Sequence, residues 1–227
     1  MKFVLFYFCV FYIITPLLAE TNFNYLSVDG IMQGLKSRSN TDTYPKIIDR
    51  QKWLNSLYPK RAMLTNDVER IKLTKELVRI LNSATSSSED KCAAAYLIGL
   101  FQIQEGINAL IKSFLLGNKA ALEPDLITAE GAWPAQKALI RIGEPAIPAV
   151  IEFIESATNT LQLNRASGVI LYIKGQKEGA EFLKQAITEQ TDSKKKENLK
   201  AALASEYFTD PKYQASGPAK KFNSVQE

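Results

Sequence analysis

Histidine is absent from all 227 residues. Its absence removes Ser-His-Asp and Cys-His catalysis and leaves no imidazole for a zinc site or a proton shuttle. Carboxylates, lysine and tyrosine are the acid–base groups that remain. Cysteine is nearly absent, Cys9 and Cys92 being the whole supply. Cys9 lies in an apolar run near the N-terminus, with Tyr7 and Phe8 before it where a lipoprotein acceptor has small residues. Removal of that run leaves Cys92 alone, so no internal disulfide is expected. Cys92 reads as a small buried hydrophobe on a helix, with a mixed disulfide to a partner in an oxidising compartment as the alternative. A dominating charge is also missing. The formal net charge is +4, and the basic residues are scattered among acids instead of forming a stripe interleaved with aromatics, which argues against nucleic acid. No Asn-x-Ser/Thr sequence occurs.

Long apolar runs are limited to one, Phe3 to Leu18, which follows Lys2, is broken by Pro16 and ends at Ala19 before Glu20-Thr21. A single basic residue, an apolar stretch and a small residue at the junction are the pattern of a secretory signal peptide, cleaved near Ala19. The competing reading is an uncleaved anchor, for which the run falls short of the usual ~20 residues. With no second run, the mature chain is expected to lack a transmembrane segment.

What is present is helical periodicity. Residues 20 to 45 are polar, with Asp29-Gly30 as a turn signal and Ile31, Met32 and Leu35 as one short helical turn. Lys46 to Tyr58 reads as a helix stopped before Pro59. The next helix opens at Thr65 or Asn66 and carries Val68, Ile71, Leu73, Leu77, Val78, Ile80 and Leu81 as its apolar stripe. Ser83 to Asp90 is a linker. At the centre of the chain, Arg141 to Ile151 is a helix end, a corner and a new helix: Gly143 suits the corner, and Pro145 and Pro148 suit the first turn that follows. Similar units run from Cys92 to Phe114, Ala135 to Ile154 and Arg165 to Ile187. Superposing their second helices aligns Leu110, Val150 and Leu183, at steps of 40 and 33 residues. Such a period marks a stacked helical array. Within it Ala93, Ala94, Ala95 and Gly99 offer a small face for a neighbouring helix, and Gly99 and Ala138 are expected at such a contact. Ser193 to Phe208 closes the array as an amphipathic cap, and the segment from Thr209 onward reads as disordered.

Two stretches, Ala94-Ala95-Tyr96-Leu97-Ile98-Gly99-Leu100-Phe101 through Ala109-Leu110, and Ala138 to Val150 with Gly143-Glu144-Pro145, resemble the HEAT repeat family in its short bacterial form. The third copy departs, with Leu171 and Lys174 at the two glycine positions and a longer corner. The resemblance spans Cys92 to Ile187 and implies architecture, while the family covers scaffolds, chaperone-like subunits and a few lyases. The expected organisation is all-α: signal peptide 1–19, a partly helical extension 20–60, a short α-solenoid of stacked hairpins 61–208 and a flexible tail 209–227.

Function is then expected to be that of an exported, non-catalytic module, periplasmic or secreted, that binds another protein. No cofactor or metal is expected. The exposed face of successive second helices carries Asn108 and Lys112, Glu152 and Glu155, then Glu181, Lys184 and Gln185, a mixed polar surface suited to a protein. An insertion, Leu116 to Pro134, adds Trp133, either as an exposed anchor or as a residue docked back on the array. The partner-binding candidates are therefore Trp133, Lys112, Glu152, Glu155 and Lys184. Alternatives are an envelope-surface adaptor using the lysines around Lys195 and Lys220 on an anionic polymer or lipid, and a lyase-type enzyme or accessory subunit. Lys194, Lys195 and Lys196 read otherwise as a solvated face.

Overall fold

The computed structural model describes residues 27–38, 44–57, 67–117 and 133–213. The expected signal peptide, the body of the insertion and all but the first residues of the expected tail lie outside them. The described residues are all-α. In order they form α1 (Val28–Ser37), α2 (Tyr44–Leu57), α3 (Asp67–Asn82), α4 (Ser88–Leu100), α5 (Ile107–Lys112), α6 (Pro134–Ile142), α7 (Ile147–Glu155), α8 (Thr160–Lys174), α9 (Gln176–Glu189), α10 (Ser193–Leu203) and α11 (Glu206–Thr209), with short 3₁₀ turns before α5 and α7 and after α11.

The N-terminal region is more regular than its polar composition suggests. Instead of one turn, α1 is ten residues long, and Asp29-Gly30 belongs to its first turn. The Ser27 hydroxyl accepts from the Gly30 N–H at 3.1 Å, satisfying an otherwise orphaned donor. Val28, Ile31 and Leu35 are buried. Opposite them Trp53 of α2 lies so close to Gly34 that a Cβ there would stand 2.4 Å from Trp53 Cζ2. Along α3, Leu73, Leu77, Ile80 and Leu81 form the inward stripe, but Val68 and Ile71 face outward, 72% and 54% exposed. At 100° per residue both fall opposite the Leu73–Leu77 line, so apolar character alone misassigned them.

From Cys92 to Leu100 every residue of α4 is buried. Such a helix needs neighbours all round, and its small residues let them approach. Among the described residues α4 packs most extensively on α6, and Gly99 lets the two come close: a Cβ added there would meet Ala138 Cα at 2.5 Å and Ala138 Cβ at 2.8 Å. Next in the same row comes α8, packed on α6, while α3 lies on α4 and α5.

The corners share one plan. After α6 the chain turns at Gly143, with φ +82° and its N–H on the Leu139 carbonyl at 3.0 Å. Pro145 sits in the 3₁₀ turn Glu144–Ala146 and Pro148 in the first turn of α7, where neither deletes a helical hydrogen bond. Gly175, φ +79°, does the same work between α8 and α9. An L residue strains at both angles.

Beyond α7 the order differs from simple repetition. It is α10 that packs on α7, and α9 lies against α8 and α10. The Asn198 amide of α10 donates to the Glu155 and Ala157 carbonyls at 2.9 and 3.0 Å, holding α10 on the last turn of α7. The expected single cap helix from Ser193 to Phe208 is two, because the chain breaks at Ala204-Ser205. That break turns Tyr207 onto Gly168 and Phe208 onto Gly179, where side chains larger than hydrogen do not fit without a shift.

Candidate interaction surface

The structure places the expected partner-binding residues in different settings. Lys112, in the last turn of α5, and Glu152, on α7, are exposed. Lys184 is exposed on α9 and paired with Glu181 at 2.8 Å within its own helix. Among the described residues no hydrogen bond or ion pair links Lys112, Glu152 and Lys184. Glu155 does not belong with them: its side chain is only 14% exposed and is held by the Lys195 ammonium at 3.3 Å and the Gln190 amide. Its carboxylate therefore ties α7 to α10 and is not offered to a partner. The lysine cluster is similarly engaged, with Lys194 on Glu197 at 3.6 Å and Lys196 on the Gln190 carbonyl at 3.4 Å. Lys220 lies outside the described residues.

Trp133 is half-buried rather than projecting. It precedes Pro134, the first residue of α6, and its carbonyl accepts the Lys137 N–H at 3.1 Å. The Arg165 guanidinium of α8 lies 4.2 Å from the centre of its ring. The indole is therefore docked, and one face of it is covered by a cation.

Around that stack the protein gathers aromatic and apolar side chains. Gly168, one turn after Arg165, receives the Tyr207 ring, and Tyr213 stands 5.1 Å from Tyr207. Tyr172 and Leu161 of α8 are 42% and 48% exposed. Burial, and next the neighbouring Tyr213, push the Tyr207 hydroxyl above the ordinary tyrosine range, with Arg165 opposing. Leu161, Arg165, Gly168 and Tyr172 share one face of α8, since they recur at three- and four-residue spacing. A lone arginine and a tyrosine within a helix give no sequence signal. What assembles them is the contact of α8 with α6 and α11.

The outward face of α9 differs. Lys177, Glu178, Glu181, Lys184 and Gln185 line a shallow open depression of about 570 Å³ with no dominant charge. Cys92 is buried, its thiol directed at the Gly117 carbonyl at 3.8 Å. Among the described residues no group of three or more His, Cys, Asp or Glu side chains is placed to hold a metal, and no helix is long and apolar enough to cross a membrane.

Compared with known proteins, the chain matches no family model, no curated protein and no solved structure.

Proposed function

We propose that this chain is an exported, non-catalytic scaffold whose helices form a short HEAT-like solenoid and whose work is to hold another protein. Residues 1–19 are its export signal. The solenoid reading draws support from the paired helices around the Gly143 corner and from the succession α4, α6, α8, in which α4 and α6 meet at Gly99 and Ala138. The observation that carries the functional reading is the surface of α8. It exposes Leu161 and Tyr172 beside the Trp133–Arg165 stack. Trp, Tyr and Arg are the residue types that dominate binding energy at protein interfaces, because they bring large contact area with few rotatable bonds.

A photo-crosslinking residue at position 172, used in the native envelope and read by mass spectrometry, tests this. The expected product is a discrete protein adduct that competes with unlabelled chain. Adducts confined to lipid or wall polymer, or none at all, refute a protein-binding role. Intact-mass analysis of the exported form should show loss of Met1 to Ala19, and retention of those residues means an anchor.

A further inference from the structure

Among the described residues, Arg165 is the one cation of the α8 surface whose donors remain available. The contact with Trp133, 4.2 Å from the guanidinium carbon to the ring centre, holds the arginine over the indole and engages none of its N–H groups. Among the described residues no carboxylate, carbonyl or amide accepts from them. Its surroundings are aromatic and apolar. Tyr207 lies against Gly168 within electrostatic reach of Arg165, and its hydroxyl donates to no described residue. Tyr172 and Leu161 flank the arginine along the helix, both exposed. An arginine fork held on an indole, in a partly dehydrated setting, fits a carboxylate through two parallel hydrogen bonds.

We propose that Arg165 is the carboxylate-recognition residue of this surface, and that its occupant is an acidic segment of a partner protein carrying Asp or Glu beside a large apolar side chain. The proposal rests on the protein-binding reading above and names its ligand chemistry. Charge complementarity selects the carboxylate. The count of charges selects a peptide over a polyanion: Glu206 shares the reach of Tyr207, and the nearby Lys212 is held by Asp210 at 2.9 Å and Glu206 at 3.4 Å. Among the described residues one available cation stands there among acids and recognises one carboxylate, whereas a polymer or anionic membrane needs several. The length follows from geometry. Leu161 to Tyr172 spans about 16 Å at ~1.5 Å per residue, which an extended peptide crosses in about five residues. The apolar side chain of the segment then lies on Tyr172 or Leu161 while its carboxylate meets Arg165.

The test is selection of random peptides displayed on phage against the mature chain, followed by anisotropy titration of the selected peptides. Enriched sequences should share an acidic residue next to Leu, Phe, Tyr or Trp. Arg165→Gln should weaken those peptides by about tenfold or more, and Arg165→Lys should not restore them, because an ammonium lacks the fork. Tyr172→Ala, a change at an exposed position, should also weaken them and serves if Arg165→Gln does not fold. Enriched sequences without an acid overturn the proposal, as do peptides that bind Arg165→Gln or Tyr172→Ala as tightly as the parent. Binding to phosphatidylglycerol vesicles that Arg165→Gln abolishes would assign the site to a lipid surface instead. If crosslinking at position 172 finds a protein that Arg165→Gln still captures undiminished, this inference falls while the scaffold reading stands. Absence of any protein adduct removes the scaffold reading itself.

Discussion

Replacing Gly99 by alanine adds one methyl group where α4 meets the backbone of α6. Two effects oppose one another. Alanine favours the helical backbone over glycine by about 1 kcal/mol, partly through the unfolded chain. Against that, the new Cβ would stand 2.5 Å from Ala138 Cα, where ordinary contact is 3.4 to 4 Å. The obstacle is backbone and cannot rotate away, so α4 and α6 must separate by about 1 Å. A gap of that size forfeits a quarter to a half of each dispersion contact along the seam. Overpacking of this kind costs about 1–3 kcal/mol, and the backbone clash puts it in the upper part of that range. The net expectation is a loss of about 1–2 kcal/mol, or about 2–8 °C in thermal midpoint for a domain of this size. Urea unfolding of the mature chain measures it as a lower midpoint at unchanged slope. Adding Ala138→Gly should recover part of the loss, since it removes the Cβ at 2.8 Å but not the Cα. A Gly99→Ala protein as stable as the parent would refute the close-approach argument. Gly143→Ala provides the contrast: nothing lies within 4 Å of its added Cβ, so its penalty is the strain of φ +82° and no shrinking of a neighbour should relieve it.

Trp133→Ala should lower stability by about 1–3 kcal/mol, less than the 3–5 kcal/mol of a fully buried tryptophan because the indole is half-buried, and denaturant midpoints measure it. Asn198→Ala should cost a similar ~1–3 kcal/mol by stranding the carbonyls at the end of α7, while Lys195→Ala, which loses only a partly exposed pair, should stay within about 1 kcal/mol. The Asp210 carboxyl is held below its ordinary 3.8 first by the Lys212 backbone N–H and then by the Lys212 ammonium. Its folded value being depressed, its contribution is present above the ordinary value and lost as pH falls through the folded one. A carboxyl NMR titration should show the lowered midpoint, and Lys212→Ala should return it upward by reducing only the ammonium part.

Readability of the sequence followed how local each determinant is. The buried α4 was legible because Cys92 to Leu100 contains no charge, and the Gly99–Ala138 contact because small residues on a helix have few other uses. The corner at Gly143 was legible from its dipeptide chemistry. The exchange of α10 for α9 beside α7 was not, since periodicity reports which residues are apolar and not which helix they meet. Leu183 is buried either way. Val68 and Ile71 misled for the same reason, being apolar on the wrong side of a genuine stripe. Of the candidate site residues, Glu155 became a tie between helices and Trp133 a docked side chain. Arg165 was invisible because its meaning depends on a tryptophan 32 positions earlier.

Cys92 is 1% exposed at the start of the buried run of α4, its thiol 3.8 Å from the Gly117 carbonyl. A thiol so placed is chemically silent in the native state and reacts only while the packing that covers it is open, so a mixed disulfide with a partner requires that opening first. This makes the residue a built-in clock. The rate at which a small alkylating reagent consumes it under native conditions, compared with the rate in urea, counts how often the core opens. Gly99→Ala should make that clock run faster before any change is visible in the average helicity.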